Sequence, residues 1–160
     1  KNFRNEIYSD YKSNRSEAPD DLVPQFEYIR KSVIAFNLPS VELPNYEADD
    51  LIATYAEQIL AKGAKVTIVS SDKDLMQLYT KDVRLFDPMK NKFITPEDII
   101  NKFGVDPKKV IDVQSLAGDS SDNVPGVPGI GVKTAAELIN KYKTLEKLLD
   151  NAHEINQLAF

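Results

Sequence analysis

Lys65-Val66-Thr67-Ile68-Val69-Ser70-Ser71-Asp72-Lys73-Asp74 is the stretch from which the rest of this chain can be read. Its first half is β-branched and almost continuously apolar, which predicts a strand covered on both faces. Two aspartates follow where the strand ends. Open parallel sheets bind ligands just outside the carboxyl ends of their strands, so Asp72 and Asp74 are candidate ligating groups. Beyond them, Asp72–Tyr79 reads as a helix and Val83–Asp87 as a second strand. Upstream, Tyr46-Glu47-Ala48-Asp49-Asp50 opens a helix with Ile52, Tyr55 and Ile59 on its apolar face and Gly63 at its end. Helix, strand, helix, strand predicts an α/β fold: a mainly parallel sheet flanked by helices, with right-handed crossovers.

Further out the character changes. Lys1–Arg15 mixes aromatics with bases and has no clean period, the pattern of a loop or short helix over a surface. Asp20-Asp21 supply a helix cap; Leu22, Phe26, Ile29, Val33 and Phe36 then recur at helical spacing, with Pro24 in the first turn. After Pro88 come short capped helices. Thr95-Pro96 opens one that closes at Gly104, and Asp106-Pro107 opens the next, closing at Gly118. A glycine- and proline-rich turn leads to a helix over Val132–Tyr142, and Thr144 caps a last one. We divide the chain into an α/β part, residues 1–87, and a helical part, residues 88–160, packed as one body.

Composition narrows the chemistry. The 160 residues contain no cysteine, which excludes disulfide scaffolds and thiolate zinc sites, and a single histidine, His153, which argues against catalytic triads and histidine-rich metal sites. No run is long or apolar enough to span a membrane, and no leader sequence is visible. The formal charge is −5, ordinarily the wrong sign for a nucleic-acid binder. That average conceals a segregation. Ser16–Ala61 carries nine acids against Arg30 and Lys31, while Lys1–Arg15 and Asn123–Lys147 each carry four bases against two acids. The chain lacks an initiator methionine and reads as a piece of a longer polypeptide.

Three carboxylate clusters begin or end elements: Glu47, Asp49 and Asp50; Asp72 and Asp74; Asp119 and Asp122. Each has an ordinary reading as helix caps or turn residues. Converging in one cleft, however, they would repel one another prohibitively unless cations neutralise them or some of them take up protons. An all-oxygen set favours hard ions, two Mg²⁺ or Mn²⁺, over softer metals. Two such ions stabilise the attacking and leaving oxygens of phosphodiester cleavage. The spacing does not fit a calcium loop. Gly126-Val127-Pro128-Gly129-Ile130-Gly131 precedes a helix, so its backbone can approach a phosphate, with Lys133 adding charge. A tight helix–helix turn without a ligand is the alternative. Arg4, Lys12 and Arg15, interleaved with Tyr8 and Tyr11, can grip phosphates and stack on an unpaired base; a solvated basic face is the plainer alternative. Lys73 is expected to make a local salt bridge.

Taken together, Phe3-Arg4-Asn5-Glu6, Tyr11-Lys12, Arg15, Tyr46-Glu47-Ala48-Asp49-Asp50, Asp72-Lys73-Asp74, Gly118-Asp119-Ser120-Ser121-Asp122-Asn123 and the glycine turn occur in an order that resembles the 5′-nuclease (flap endonuclease) family. Within it, the likeness is to the 5′→3′ exonuclease domain of bacterial DNA polymerase I. The resemblance implies a PIN-like sheet with a C-terminal helix-hairpin-helix region, acting on double-stranded DNA with a 5′ flap, nick or end, in replication and repair. It implies Glu47, Asp49, Asp50 and Asp72 around a first metal, and Asp74, Asp119 and Asp122 around a second. Lys12 and Arg15 would polarise the scissile phosphate. Arg4, Tyr8, Gly126, Gly129, Gly131 and Lys133 would contact DNA, with K⁺ at the hairpin. It also implies a bacterial cytoplasmic protein, monomeric and joined to polymerase domains. The family places one further strand and two aspartates ahead of the position of Lys1, so we expect this chain alone to be weakly active or inactive. A helix-hairpin-helix binding module without catalysis is the alternative from another class. A small carboxylate-dependent ribonuclease is a third, against which the long helical half argues.

Overall fold

The computed structural model describes residues 2–155; Lys1 of the basic opening segment and residues 156–160 of the helical part lie outside the described residues. A short helix α1 (Arg4–Ile7) is followed by turns, then by α2 (Gln25–Ala35) and α3 (Ala48–Leu60). Strand β1 (Val66–Val69) leads through a 3₁₀ turn (Asp74–Leu78) to β2 (Val83–Asp87) and β3 (Lys92–Ile94). The remainder is helical: α4 (Pro96–Phe103), α5 (Val110–Ala117), α6 (Val132–Tyr142) and α7 (Leu145–Asp150).

The sheet has the order β1-β2-β3. β1 pairs parallel to β2, Ile68 opposite Leu85, as the crossover reading requires. β3 is antiparallel to β2, with Leu85 opposite Ile94. Lys92–Ile94 was not legible as a strand because three residues carry too little period to register. β1 is covered on one face rather than both: Ile68 is buried, whereas Val69 is 63% exposed and Thr67 is exposed as well. In this chain β1 is the terminal strand of the three-stranded sheet, with α3 packed beside it.

Helix α2 departs from expectation more strongly. The stripe Phe26, Ile29, Val33, Phe36 is present, yet no residue of the helix is buried and Phe36 is 77% exposed. The helix also begins later than Asp20-Asp21, after Pro24. The stretch expected to be helical over Asp72–Tyr79 is instead the 3₁₀ turn Asp74–Leu78, entered through an Asx turn in which Asp72 accepts the Asp74 amide at 2.9 Å.

One core joins the sheet to the helices. Ile68, Val83, Leu85 and Ile94 from the sheet meet Ile99, Phe103, Val110, Val113, Ala135 and Ile139 from α4, α5 and α6. Helix α4 shows why its ends fall where they do: Thr95 and Asp98 form a reciprocal capping box, and Gly104 closes the helix at φ 72°. Thr144 likewise caps α7.

A candidate metal and nucleic-acid site

Four segments meet at a cleft of about 320 Å³ beyond the carboxyl end of β1. Its lining includes Arg4, Tyr11, Glu47, Asp49, Asp74, Gln114, Asp119 and Asp122. The residues 47–50 arrive at the N-terminus of α3, where Glu47 and Asp50 form a capping box and satisfy its open amides. The structural role anticipated for these acids is therefore real, and it coexists with their place at the cleft. Asp72 and Asp74 arrive on the turn after β1. Asp119 and Asp122 sit in a loop closed by the paired backbones of Asp119 and Val124, at 2.9 and 2.8 Å.

Basic side chains stitch the carboxylates together. Lys12, with φ 57°, places its Nζ 2.7 Å from Glu47 Oε2 and 3.6 Å from Asp122 Oδ2. Arg15 contacts Asp122 at 2.5 Å, and Arg4 grips Asp50 with two bonds of 2.7 and 2.8 Å. Lys73 does not bridge locally: it crosses to Asp119 at 2.5 Å, 46 positions away. The Tyr11 hydroxyl stands 3.1 Å from both Glu47 Oε2 and Asp122 Oδ2. Its one proton can serve only one carboxylate at a time, and Lys12 compensates the other. Among the described residues, no three carboxylates close on one point as a ready cation cage. Lys12 lies between two of them, Glu47 and Asp122, whereas Arg4, Arg15 and Lys73 each hold one.

The electrostatics are uneven. Burial pushes the Asp49 carboxyl above its usual range, and the charges of Asp72 and Glu47 push it further. Burial also raises Asp74, partly offset by a hydrogen bond from Gln114. Burial works against the Asp119 anion too, but Lys73 and Ser121 outweigh it and bring its pKa down to about 2. Arg4 holds Asp50 low. Asp49 and Asp74 are thus carboxylates short of positive charge, in a donor set made only of oxygen. That is a site suited to a hard divalent cation.

The glycine turn lies against this site. Gly118 and Val124 line the cleft, and Val127 donates to the Leu116 carbonyl at 2.8 Å, tying the hairpin to α5. α5 and α6 pack against each other across the turn. Gly131 caps α6, while Gly129 and Lys133 are exposed at its start. Tyr8 is half-buried near the basic segment. Asn2 and Gln114 also reach the acids and Gln77 holds the Asp74 backbone carbonyl, and sequence reasoning passed over all three. Gln114 had a signal, being a polar side chain in the middle of the apolar stretch Val110–Ala117. Asn2, bonded to Glu47 at 2.5 Å, had none.

Two family models cover the chain. Residues 1–104 match "5′-3′ exonuclease, N-terminal resolvase-like domain" and residues 105–159 match "5′-3′ exonuclease, C-terminal SAM fold". DNA polymerase I of Rhizobium leguminosarum is 56% identical over 158 residues, 99% of this chain and 16% of that protein. The 5′-3′ exonuclease of Aquifex aeolicus is 46% identical over 151 residues, 94% of this chain and 52% of that protein. The chain therefore spans about half, or less, of the length of these relatives. Among solved structures, T5 5′-exonuclease with divalent zinc bound superposes with a TM-score of 0.82 at 28% identity, covering 94% of this chain and 60% of that one. A bacteriophage T5 flap endonuclease variant in a pseudo-enzyme–product complex with DNA and metal ions gives 0.80 at 27% identity, covering 99% and 60%.

Proposed function

Because the chain belongs to the 5′-3′ exonuclease family, we propose that it carries the carboxylate centre and DNA-gripping turn of a structure-specific 5′ nuclease. Its substrates are branched or nicked DNA, in a parent protein of the DNA polymerase I kind. One observation carries this reading. Glu47, Asp49, Asp74, Asp119 and Asp122, from three separate segments, line a single cleft, and burial raises Asp49 and Asp74 there, each without a salt bridge among the described residues.

In this reading Glu47, Asp49, Asp50 and Asp72 hold one Mg²⁺ or Mn²⁺, and Asp74, Asp119 and Asp122 hold the other. Bound there, the ions supply Lewis-acid stabilisation of charge on the attacking and leaving oxygens of the phosphodiester. Lys12 and Arg15 sit on Glu47 and Asp122 at the cleft. They are placed to exchange those carboxylates for the scissile phosphate and to hold it in line. Tyr11 keeps the acids of two segments in register through its hydroxyl. Arg4 maintains the α3 entrance through Asp50 and turns its remaining positive field toward the phosphate backbone, beside Tyr8. Gly126, Gly129, Gly131 and Lys133 form the duplex grip, reading backbone rather than bases. K⁺ at this turn belongs to the same proposal; duplex binding stronger in KCl than in an equal concentration of tetramethylammonium chloride would support it. The division at residues 87 and 88 runs through this site: residues 1–87 supply Glu47, Asp49, Asp50, Asp72 and Asp74, and residues 88–160 supply Asp119, Asp122 and the glycine turn.

The test is cleavage of a 5′-flapped duplex by the full-length parent protein in Mg²⁺ or Mn²⁺. Asp119→Ala and Asp122→Ala should each lower cleavage by at least about a hundredfold while flap binding persists. Unchanged cleavage in both variants would reduce this site to a binding module.

A further inference from the structure

The carboxylates of the cleft are not all held in the same manner. Glu47, Asp50, Asp119 and Asp122 each face a lysine or an arginine within 2.8 Å. Asp74 does not. Among the described residues, the side chain that donates to its carboxylate is a neutral amide: Gln114 Nε2 to Asp74 Oδ1, at 2.6 Å. We infer that Gln114 is a positioning residue that fixes the Asp74 carboxylate for a divalent cation without competing for its charge. This deepens the metal reading of Asp74 and rests on it.

The geometry behind the inference begins with α5. Val110, Val113 and Leu116 are buried in the core at 6% exposure or less, whereas Ile111, Gln114 and Ser115 share the opposite face and line the cleft. Gln114 therefore stands on a helix anchored by its other side, and its reach is fixed by core packing rather than by a loop. Only the NH₂ end of its amide can face an ionised carboxylate, since a carboxylate accepts and does not donate. The same aspartate is anchored from its own backbone: Gln77 Nε2 donates to the Asp74 carbonyl at 2.7 Å, and the Asp74 amide donates to Asp72 at 2.9 Å. Asp74 is thus oriented on three sides. An ammonium in place of the amide would have to be displaced or shared when a cation arrives; the amide keeps its bond and leaves the full negative charge available. Such outer partners tune how tightly a ligand set holds its metal.

The experiment is a double-mutant cycle on Mn²⁺ affinity, read by the electron paramagnetic resonance of free Mn²⁺, with Gln114→Leu, Asp74→Ala and the double variant. Gln114→Leu keeps the size and the helix propensity. It should weaken Mn²⁺ binding about tenfold in the unaltered background and change nothing further in the Asp74→Ala background. Affinity unchanged by Gln114→Leu, or lowered equally in both backgrounds, overturns the inference; the second result marks a general loss of structure. If Asp74→Ala by itself leaves Mn²⁺ binding intact, the metal reading of Asp74 fails first and the role of Gln114 falls with it.

Discussion

Gly126 and Gly131 are five positions apart in one turn and are glycine for different reasons. A Cβ on Gly126 would meet the backbone of Ala117 and lie 2.7 Å from the Gly118 amide, and one on Gly118 would lie 2.6 Å from the Val124 carbonyl. Gly118 also holds φ at 71°. Alanine at either position forces backbone apart, and Gly118→Ala should cost more than about 2 kcal/mol, visible as a lowered chemical-denaturation midpoint. A Cβ on Gly131 meets nothing within 4 Å, and its φ of −87° suits any residue. Nothing in the fold demands glycine there. Gly131→Ala is expected to leave the denaturation midpoint unchanged and to weaken duplex binding severalfold, because a methyl group would stand between the α6 amides and a phosphate. Equal duplex affinity in wild type and variant would remove Gly131 from the grip. The sequence marked every glycine of this turn alike. Only contacts between segments distinguish the one that lets chains cross from the one that leaves a surface open.

At the scale of elements, α4 was the most legible and α2 the least. Thr95, Pro96, Asp98 and Gly104 are all local signals, and the Thr95–Asp98 capping box, Pro96 in the first turn and the Gly104 cap are all observed. Thr95→Ala should lower stability by about 1 kcal/mol in urea denaturation. Asp98 lies below the ordinary aspartate range, first through Lys92 at 2.8 Å and then through the Thr95 amide. A carboxyl lowered on folding stabilises above its unfolded pKa, and that contribution fades as pH falls through the native value. Melting curves of wild type and Asp98→Asn should therefore differ at neutral pH and merge in strong acid. A constant gap down to the lowest pH would assign the bond no role in acid sensitivity. For α2 the apolar period was clear and the helix forms, but periodicity says which face a helix would bury, not whether a partner is there to cover it. β1 carries the same lesson, since its run of Val and Ile does not say which of its faces is covered: Ile68 is buried and Val69 exposed.

The whole molecule is held by one core, so damage in the helical part should reach the sheet. Ile139 on α6 is fully buried with Ile99, Val110 and Val113. Ile139→Ala should cost about 2–5 kcal/mol, with far-ultraviolet dichroism and tyrosine fluorescence falling in one transition; two separated transitions would show that the parts fold independently. Divalent cations act on the same balance from the other side. Carboxylates from three segments repel in the folded state and far less in the unfolded chain, so Mg²⁺ or Mn²⁺ should raise the melting temperature, and chelation should reverse the rise. The sequence by itself determined the donor chemistry, the first two strands, the capped helices α4 and α7 and the glycine turn. These follow from side-chain type and spacing within a few residues, where local sterics and hydrogen bonding decide. Tertiary structure alone decided that Lys73 crosses to Asp119, that Tyr11 joins Glu47 to Asp122, that Gln114 meets Asp74 and that α2 stands uncovered. Those facts depend on which surfaces face each other once a shared core has set the distance between segments, and no spacing along the chain encodes that distance.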